Sequence, residues 1–359
     1  MHSGSIERIF IRGTSWLGDA VMTLPALRRL RAAFPAAHLT LLATPRTAEL
    51  FTAAPFVEEV IEYRRREAGL RAFAEAVKTM RARRYDLALL FQNAFEAALL
   101  AFLGGARLRI GYAAQGRSAL LTHPLHHTPD HRNRHQTLDY LDIVIAAERA
   151  CGLNPNVEQN TTPSLTATAS HRSAAAALLE RHGIQPGASG QPLIALNTGA
   201  TNSRAKCWPA DRYAALADRL ADALNARLIL IGAPSEREHA AQVIAQMQRA
   251  RAVNLAGETN LNELIGVLDR AALLITNDTG PAHIAAALGR PTLTIFGPTN
   301  EFETAPLGVR AEIVRAPDIA CARCMHRDCP IDHRCMTNLT AEDLLRRAVA
   351  LLHQAEGKG

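Results

Sequence analysis

Twice along this chain a series of short apolar runs alternates with helix-length segments, and the alternation restarts midway. This constrains the fold more than any single residue. Parallel strands need a long crossover, usually a helix, so strand–helix alternation implies a parallel sheet covered by helices. In the first series the strand-like runs are Ile6–Arg12, His38–Ala43, Val57–Ile61, Asp86–Phe91 and Leu108–Gly111. A helical stretch to Phe34 follows the first run, and a basic amphipathic helix over 67–83 follows the third. In the second series the runs are Leu193–Asn197, Arg227–Ile231, Ala252–Leu255, Leu273–Thr276 and Thr292–Phe296. Helices near 209–224, 235–249, 261–269 and 280–288 separate them. A chain of 359 residues is too long for one ordinary core. The expectation is an α/β protein of two Rossmann-like, doubly wound domains facing a cleft, over residues 1–165 and 185–340. A closing helix, capped by Thr340 with Asp343 at the capping-box position, begins the tail at 341–359. The polar stretch 154–169 reads as linker, and a helix over 170–182 leads to a second Gly/Pro/Ser patch at 185–192.

Hydrophobic residues make up 48% of the chain and charged residues 21%, a globular composition. No apolar run approaches the roughly 20 residues of a membrane helix. The segment Met1–Ile11 lacks a basic start followed by a long apolar stretch, so no secretory signal is expected and a cytoplasmic location follows. The net charge of +6 is uneven: the first 140 residues carry 19 Lys and Arg against 12 Asp and Glu, the remainder 21 against 22. A basic first half suits an anionic partner, and equally suits a solvated Arg-rich surface. It carries no nucleic-acid motif and no aromatic stacking platform, so nucleic acid is not the expected partner.

Ligands of open α/β sheets bind beyond the carboxyl ends of strands, beside helix N-termini. Three segments lie there. Gly13-Thr14-Ser15-Trp16-Leu17-Gly18-Asp19 follows the first strand. Its Asp19 has two open roles, general base or helix N-cap. The segment has neither the dinucleotide nor the P-loop glycine pattern, and Pro25 should kink or restart the helix. Asn197 to Pro209 follows the first strand of the second series and offers backbone N–H groups, hydroxyls and the point charge of Lys206. That suits a diphosphate, or is a solvated loop. Asn277-Asp278-Thr279-Gly280-Pro281-Ala282-His283 joins a strand to a helix whose N-terminus favours an anion. There Asp278 is a phosphate-site residue or a plain cap, and His283 a phosphate contact or a buried core histidine. Gly297-Pro298-Thr299 is a further loop at the same end.

Gly18-Asp19 with Pro25, the Gly199/Lys206/Trp208-Pro209 stretch, and NDTGPAHIAAALGRPTLTIFGPT over 277–299 resemble the lipopolysaccharide heptosyltransferases, glycosyltransferase family 9. The resemblance runs from about Ile9 to the C-terminal helix. It implies the GT-B fold, an ADP-heptose donor, inversion at the anomeric carbon and no metal or other cofactor. It gives Asp19 the role of general base and Lys206 that of neutralising the leaving diphosphate. It makes Asp278, Thr279, Gly280 and His283 donor-binding, and Thr198, Gly199 and Thr201 of the second loop are donor-binding candidates beside them. A ribose-contacting Glu of the family falls near Ala233–Glu236, which makes Glu236 the candidate.

The tail holds four of the six cysteines, in Cys321-Ala-Arg-Cys324-Met-His-Arg-Asp-Cys329-Pro-Ile-Asp-His333-Arg-Cys335. It resembles a segment of those family members that add the second heptose of the inner core to the first. As bare chemistry it is a zinc site with irregular spacing or a group of packed free thiols. The resemblance also gives the basic half a partner, a lipid A–Kdo–heptose acceptor at the inner membrane face. Arg64, Arg132, Arg134 and His135 are the candidate contacts, since Arg grips carboxylate or phosphate bidentately. Peripheral attraction to an acidic leaflet is a second expectation. Two alternatives stay open: a transferase of the same family adding the first heptose or another sugar, and a non-catalytic nucleotide binder with the Cys cluster as metal or redox sensor. The second leaves Asp19 without a role.

Overall fold

The computed structural model describes residues 6–51, 55–155, 160–184, 190–201 and 203–356. The first five residues, 156–159 of the polar stretch, 185–189 of the second patch and Asn202 of the second loop lie outside the described residues. The chain divides into two compact units, Met1–Pro163 and Ser164–Gly359.

The first unit contains β1 (Arg8–Arg12), β2 (His38–Ala43), β3 (Glu59–Glu62), β4 (Leu87–Leu90), β5 (Leu108–Tyr112) and β6 (His123–Leu125). Its helices are α1 (Leu17–Met22), α2 (Leu24–Ala33), α3 (Pro45–Phe51), α4 (Arg65–Arg83), α5 (Phe95–Leu103) and α6 (Gln136–Ala150). Among the described residues the strands form one parallel sheet in the order β3-β2-β1-β4-β5-β6. Both faces of β4 are buried, as its Leu-Ala-Leu-Leu run requires. Asp86 stands outside that strand: its carboxylate accepts from the N–H groups of Glu7 (3.0 Å) and Arg8 (3.1 Å) and fixes where β1 begins. Thr23 separates α1 from α2, and Pro25 sits in the first turn of α2, where its missing N–H costs nothing. The basic helix α4 buries only Ala72 and Met80 and is broken at Gly69, whose φ of 55° a side chain would resist. β6 escapes the sequence pattern because it is a three-residue edge strand carrying Pro124, tolerated only where no ladder donor is needed.

The second unit contains β7 (Leu193–Asn197), β8 (Arg227–Leu230), β9 (Ala252–Asn254), β10 (Leu273–Asn277), β11 (Thr292–Ile295) and β12 (Ala311–Val314). Its helices are α7 (Ala169–Arg181), α8 (Ala210–Leu224), α9 (Arg237–Gln246), α10 (Leu261–Arg270), α11 (Gly280–Ala287), α12 (Glu301–Thr304), α13 (Arg334–Thr337) and α14 (Ala341–Glu356). The sheet order is β12-β11-β10-β7-β8-β9, again parallel. The two units thus repeat one topology, in which the first strand lies between the second and the fourth. The switch point lies between the first and fourth strands, β1 and β4 or β7 and β10, where successive crossovers leave in opposite directions and open a crevice at the carboxyl ends. The buried core gathers Trp208, Tyr213, Leu230 and Ile275 with Leu344, Ala348 and Leu351 of α14. Thr340 and Asp343 cap the start of α14 as expected, with Thr340 Oγ1 donating to Asp343 Oδ2 at 2.6 Å and accepting from its N–H at 3.1 Å. β12 is a half-exposed edge strand without an apolar run to announce it.

The end of the polar stretch belongs to the second unit. Thr168 caps α7 through a reciprocal bond with His171, and α7 packs on α10. The two helices meet so closely that a Cβ at Gly266 would lie 2.0 Å from the carbonyl oxygen of His171. A mid-helix Gly→Ala change ordinarily gains about 1 kcal/mol. Here Gly266→Ala should instead cost about 1–3 kcal/mol by forcing α7 and α10 apart. Urea denaturation reads the sign directly, and a neutral or stabilising result would mean that the two helices do not touch there.

Candidate functional site

Both central strands of the second sheet, β7 and β10, end in asparagine, and Asn197 lies in register with Thr276. The two side chains cross to each other's loops. Asn277, fully buried, donates from Nδ2 to the carbonyls of Thr198 (2.9 Å) and Gly199 (3.0 Å). Its Oδ1 accepts from Trp208 N–H and the Tyr213 hydroxyl, each at 3.1 Å. Asn197 Nδ2 donates in turn to Thr279 Oγ1 at 2.8 Å. The loops after the two strands are therefore held to one another at the switch point. Neither asparagine stands out as a site residue in the sequence, although an Asn closing two buried apolar strands was the available signal.

This latch brings most of the expected donor residues together. Lys206 Nζ lies 2.9 Å from Asp278 Oδ2 and also reaches the Asp278 carbonyl at 3.3 Å. The Lys side chain remains 27% exposed and that of Asp278 only 7%, so the lysine is the more accessible partner of the pair. Asp278 does not cap α11. The N-cap is Thr279, and its hydroxyl bonds to Asn277 O (3.2 Å) and Asn197 rather than to the first turn. The helix N-terminus beginning at Gly280 is thus not covered by a side-chain cap, which suits an incoming anion. His283 lies one turn inside α11 and is buried. Glu236 lies beside the same loop: its Oε1 accepts from Thr201 Oγ1 at 3.1 Å and its Oε2 from Ala233 N–H at 2.9 Å. Two glycines make room for it. A Cβ at Gly199 would come within 2.6 Å of the Glu236 side chain, and one at Gly232 within 2.7 Å of its carboxylate. Thr198 Oγ1 and Thr299 Oγ1 are buried with no hydrogen-bond partner among the described residues.

In the first unit Asp19 lies in the segment that follows β1, the first strand of the equivalent sheet. It is the third residue of α1, whose N-cap is Trp16, so Asp19 is not a cap. The carboxylate is partly exposed and close enough to the buried Tyr140 to help burial raise that phenol's pKa. Gln92, just past β4, donates to Ser15 Oγ at 2.9 Å and ties the two strand ends. Behind them Arg12 and Arg117 are buried against backbone carbonyls, and burial pulls both guanidinium groups down to about 10. Arg64 is exposed and paired with Glu67 (3.0 Å) and Glu62. Arg134 is paired with Asp142 and lies 3.7 Å from Asp139. His135 caps α6, its Nδ1 accepting from Thr137 N–H at 3.2 Å. Arg132 is exposed in the short turn His131–Asn133. Beside them the His127 ring stacks on Tyr112 at 4.0 Å, and Tyr112 donates to Asp142 at 3.1 Å.

The model of glycosyltransferase family 9 (heptosyltransferase) matches residues 73–334, well over half of the chain. The chain belongs to that family. Lipopolysaccharide heptosyltransferase 2 of Escherichia coli K12 is 28% identical over 324 residues, covering 86% of this chain and 88% of the relative. A lipooligosaccharide heptosyltransferase 2 of Campylobacter jejuni is 26% identical over 351 residues, covering 96% and 98%. Among solved structures, E. coli ADP-heptose LPS heptosyltransferase II superposes with a TM-score of 0.79 at 26% identity, covering 97% of this chain and 99% of that one. This family 9 glycosyltransferase has the α/β fold of two doubly wound parallel sheets expected from its sequence.

The cysteines of the transferase are all free thiols. Burial, then the neighbouring Cys329, Cys321 and Cys324, push the Cys335 thiol up to about 11. Burial likewise holds Cys207 up at about 11, so neither is a reactive thiolate at neutral pH. Among the described residues no group of three or more His, Cys, Asp and Glu side chains is arranged to hold a metal ion. No described helix is long and apolar enough to cross a membrane.

The latch predicts an unusual order of substitution costs. Asn277→Asp preserves shape but turns an oxygen toward the Thr198 and Gly199 carbonyls. It should destabilise the protein at least as much as Asn277→Ala, by about 2–3 kcal/mol. Urea denaturation of both variants is the measurement, and a well-tolerated Asp would refute the hydrogen-bond assignment.

Proposed function

We propose that this transferase moves L-glycero-D-manno-heptose from ADP-heptose to the heptose of a lipid A–Kdo–heptose acceptor, with inversion, in lipopolysaccharide synthesis. The observation that carries the donor half is the pair of latched loops in the second unit. They offer Lys206, an uncapped helix N-terminus and the glycine-lined seat of Glu236 at one switch point. The heptosyltransferase 2 names of relatives matched over most of both chains support the sugar and the acceptor. On this reading the second unit binds donor and the first binds acceptor.

In the reaction the acceptor hydroxyl oxygen attacks the anomeric carbon while Asp19 takes its proton. The bond from that carbon to the β-phosphate oxygen breaks, and ADP departs with the electron pair. Lys206 and the N–H groups opening α11 stabilise the charge growing on the leaving oxygen. Asp278 keeps the Lys206 ammonium aimed, and Glu236 serves the ribose. Arg64, Arg132, Arg134 and His135 are assigned to Kdo carboxylates or lipid A phosphates. The carboxylates now paired with Arg64 and Arg134 make their share of that contact an exchange of partners. Work at the cytoplasmic face of the inner membrane, with peripheral attachment, follows from the acceptor. Transfer assays with Kdo-lipid A and heptosyl-Kdo-lipid A decide between first- and second-heptose addition.

Asp19→Ala should leave ADP affinity within about twofold and lower turnover about 100-fold or more, the loss expected for a general base. Calorimetry with ADP beside a transfer assay checks this, and lost ADP binding with normal turnover would reverse the assignment. ADP should also slow amide exchange at 197–206 and 276–283 and leave 13–19 unchanged. Protection centred on 13–19 would exchange the roles of the two units.

A further inference from the structure

The Cys-rich tail does more than precede the closing helix. It crosses the carboxyl end of the second sheet and is fastened to it at several points. Met325 N–H donates to Pro298 O at 2.9 Å. Met336 is fully buried against Gly297, where a Cβ would come 2.6 Å from its sulfur. Leu339 O accepts from the indole N–H of Trp208 at 3.2 Å. Between these anchors the tail meets the turn Arg204–Lys206. Both backbone groups of Ala205 are committed to it: the N–H donates to Arg327 O at 2.9 Å, and the carbonyl accepts from His333 Nε2 at 2.7 Å. Ala205 itself is buried, and Arg204 Nε reaches Asp328 Oδ1 at 2.6 Å. Lys206 is the next residue along. A peptide gripped on both sides immediately before it fixes where its Cα stands and so where the ammonium points.

We infer that residues 325–339 are a strap that orients the Lys206 turn, and that His333 is a positioning residue for the leaving-group lysine. His333 does not touch the donor; it acts through the Ala205 carbonyl. Of the two cysteines in the strap, Cys335 is buried beside Gly297 and Cys329 is half-buried. The inference rests on the reading of Lys206 as the residue that holds the donor diphosphate.

His333 has a φ of 57°, a left-handed conformation that Asn also accepts. His333→Asn therefore keeps the backbone and shortens the side chain so that it no longer reaches Ala205 O. His333→Gln places an amide N–H near the position of Nε2. With ADP-heptose as varied substrate, His333→Asn should raise KM about five- to tenfold, the worth of one buried hydrogen bond, with a smaller change in kcat. His333→Gln should recover most of the loss. In a Lys206→Ala background, His333→Asn should add little. Amide exchange at 203–206 should quicken in His333→Asn, while its thermal midpoint stays near that of the parent. An unchanged KM in His333→Asn, no rescue by Gln, or an equal further loss without Lys206 would each overturn the positioning role. If Lys206→Ala alone leaves donor affinity intact, the reading of Lys206 has failed. Unchanged exchange at 203–206 in His333→Asn would instead show that the strap has failed.

Discussion

The second unit depends on the crossed hydrogen bonds of Asn197 and Asn277. A parallel sheet ends, at its carboxyl edge, in strand ends whose backbone groups have left the ladder and whose loops have no partner of their own. Burying those ends requires something to satisfy the freed carbonyls. Asn277 satisfies two of them, in Thr198 and Gly199, and with its own oxygen holds Trp208 and Tyr213. One amide thus joins the loop that carries Lys206, the helix α8 behind it, and the strand that leads to Thr279 and α11. An amide bonded in this way at both its oxygen and its nitrogen is rigid, because displacing it would leave several buried groups unpaired.

Function draws on that rigidity. The groups proposed to face the diphosphate are short-range devices: a helix N-terminus loses its effect beyond the first turn, and a lysine on four methylenes is useful only if its base is fixed. The latch fixes the Thr279 side from beneath, and the tail fixes the Lys206 side from outside through Ala205. Asp278 then joins the two by its ion pair with Lys206. In the first unit the same topology puts Asp19 at the equivalent crevice, with Gln92 and Ser15 bridging β1 and β4 where the asparagines bridge β7 and β10. Buried Arg12 and Arg117 bond to backbone carbonyls at that edge and leave positive charge under a surface already rich in arginine. Such a field suits the acidic acceptor that the proposed reaction requires.

Much of this was legible in the chain, and for reasons of local chemistry. Continuous apolar runs such as Leu87–Leu90 and Leu273–Asn277 can only be strands buried on both faces, so the doubly wound class followed from them. Pro25, Thr340 and Asp343 marked helix starts because their signals lie within one turn. Glycine and threonine after strands marked the anion-ready loops. β6 and β12 were hidden because edge strands need little apolar length, and Pro124 argues against a strand unless its edge position is known. The roles of Asn197, Asn277 and His333 were hidden for a different reason. Each acts through its side chain on residues 64 or more positions away, as with Asn197 and Thr279 or His333 and Ala205, and no local pattern encodes such a partner.

The sequence by itself determined the two parallel sheets, the loops at their carboxyl ends, and the residue types available there, because strand burial, helix capping and turn formation are settled within a few residues. Tertiary structure alone decided which of those residues meet. It set Lys206 against Asp278, seated Glu236 on two glycines, gave Asp19 a place inside a helix turn instead of at its cap, and laid a cysteine-rich tail over the loop it steadies. The physical reason is that hydrogen bonds and ion pairs act over about 3 Å. Only the packing of distant segments brings their partners to that distance.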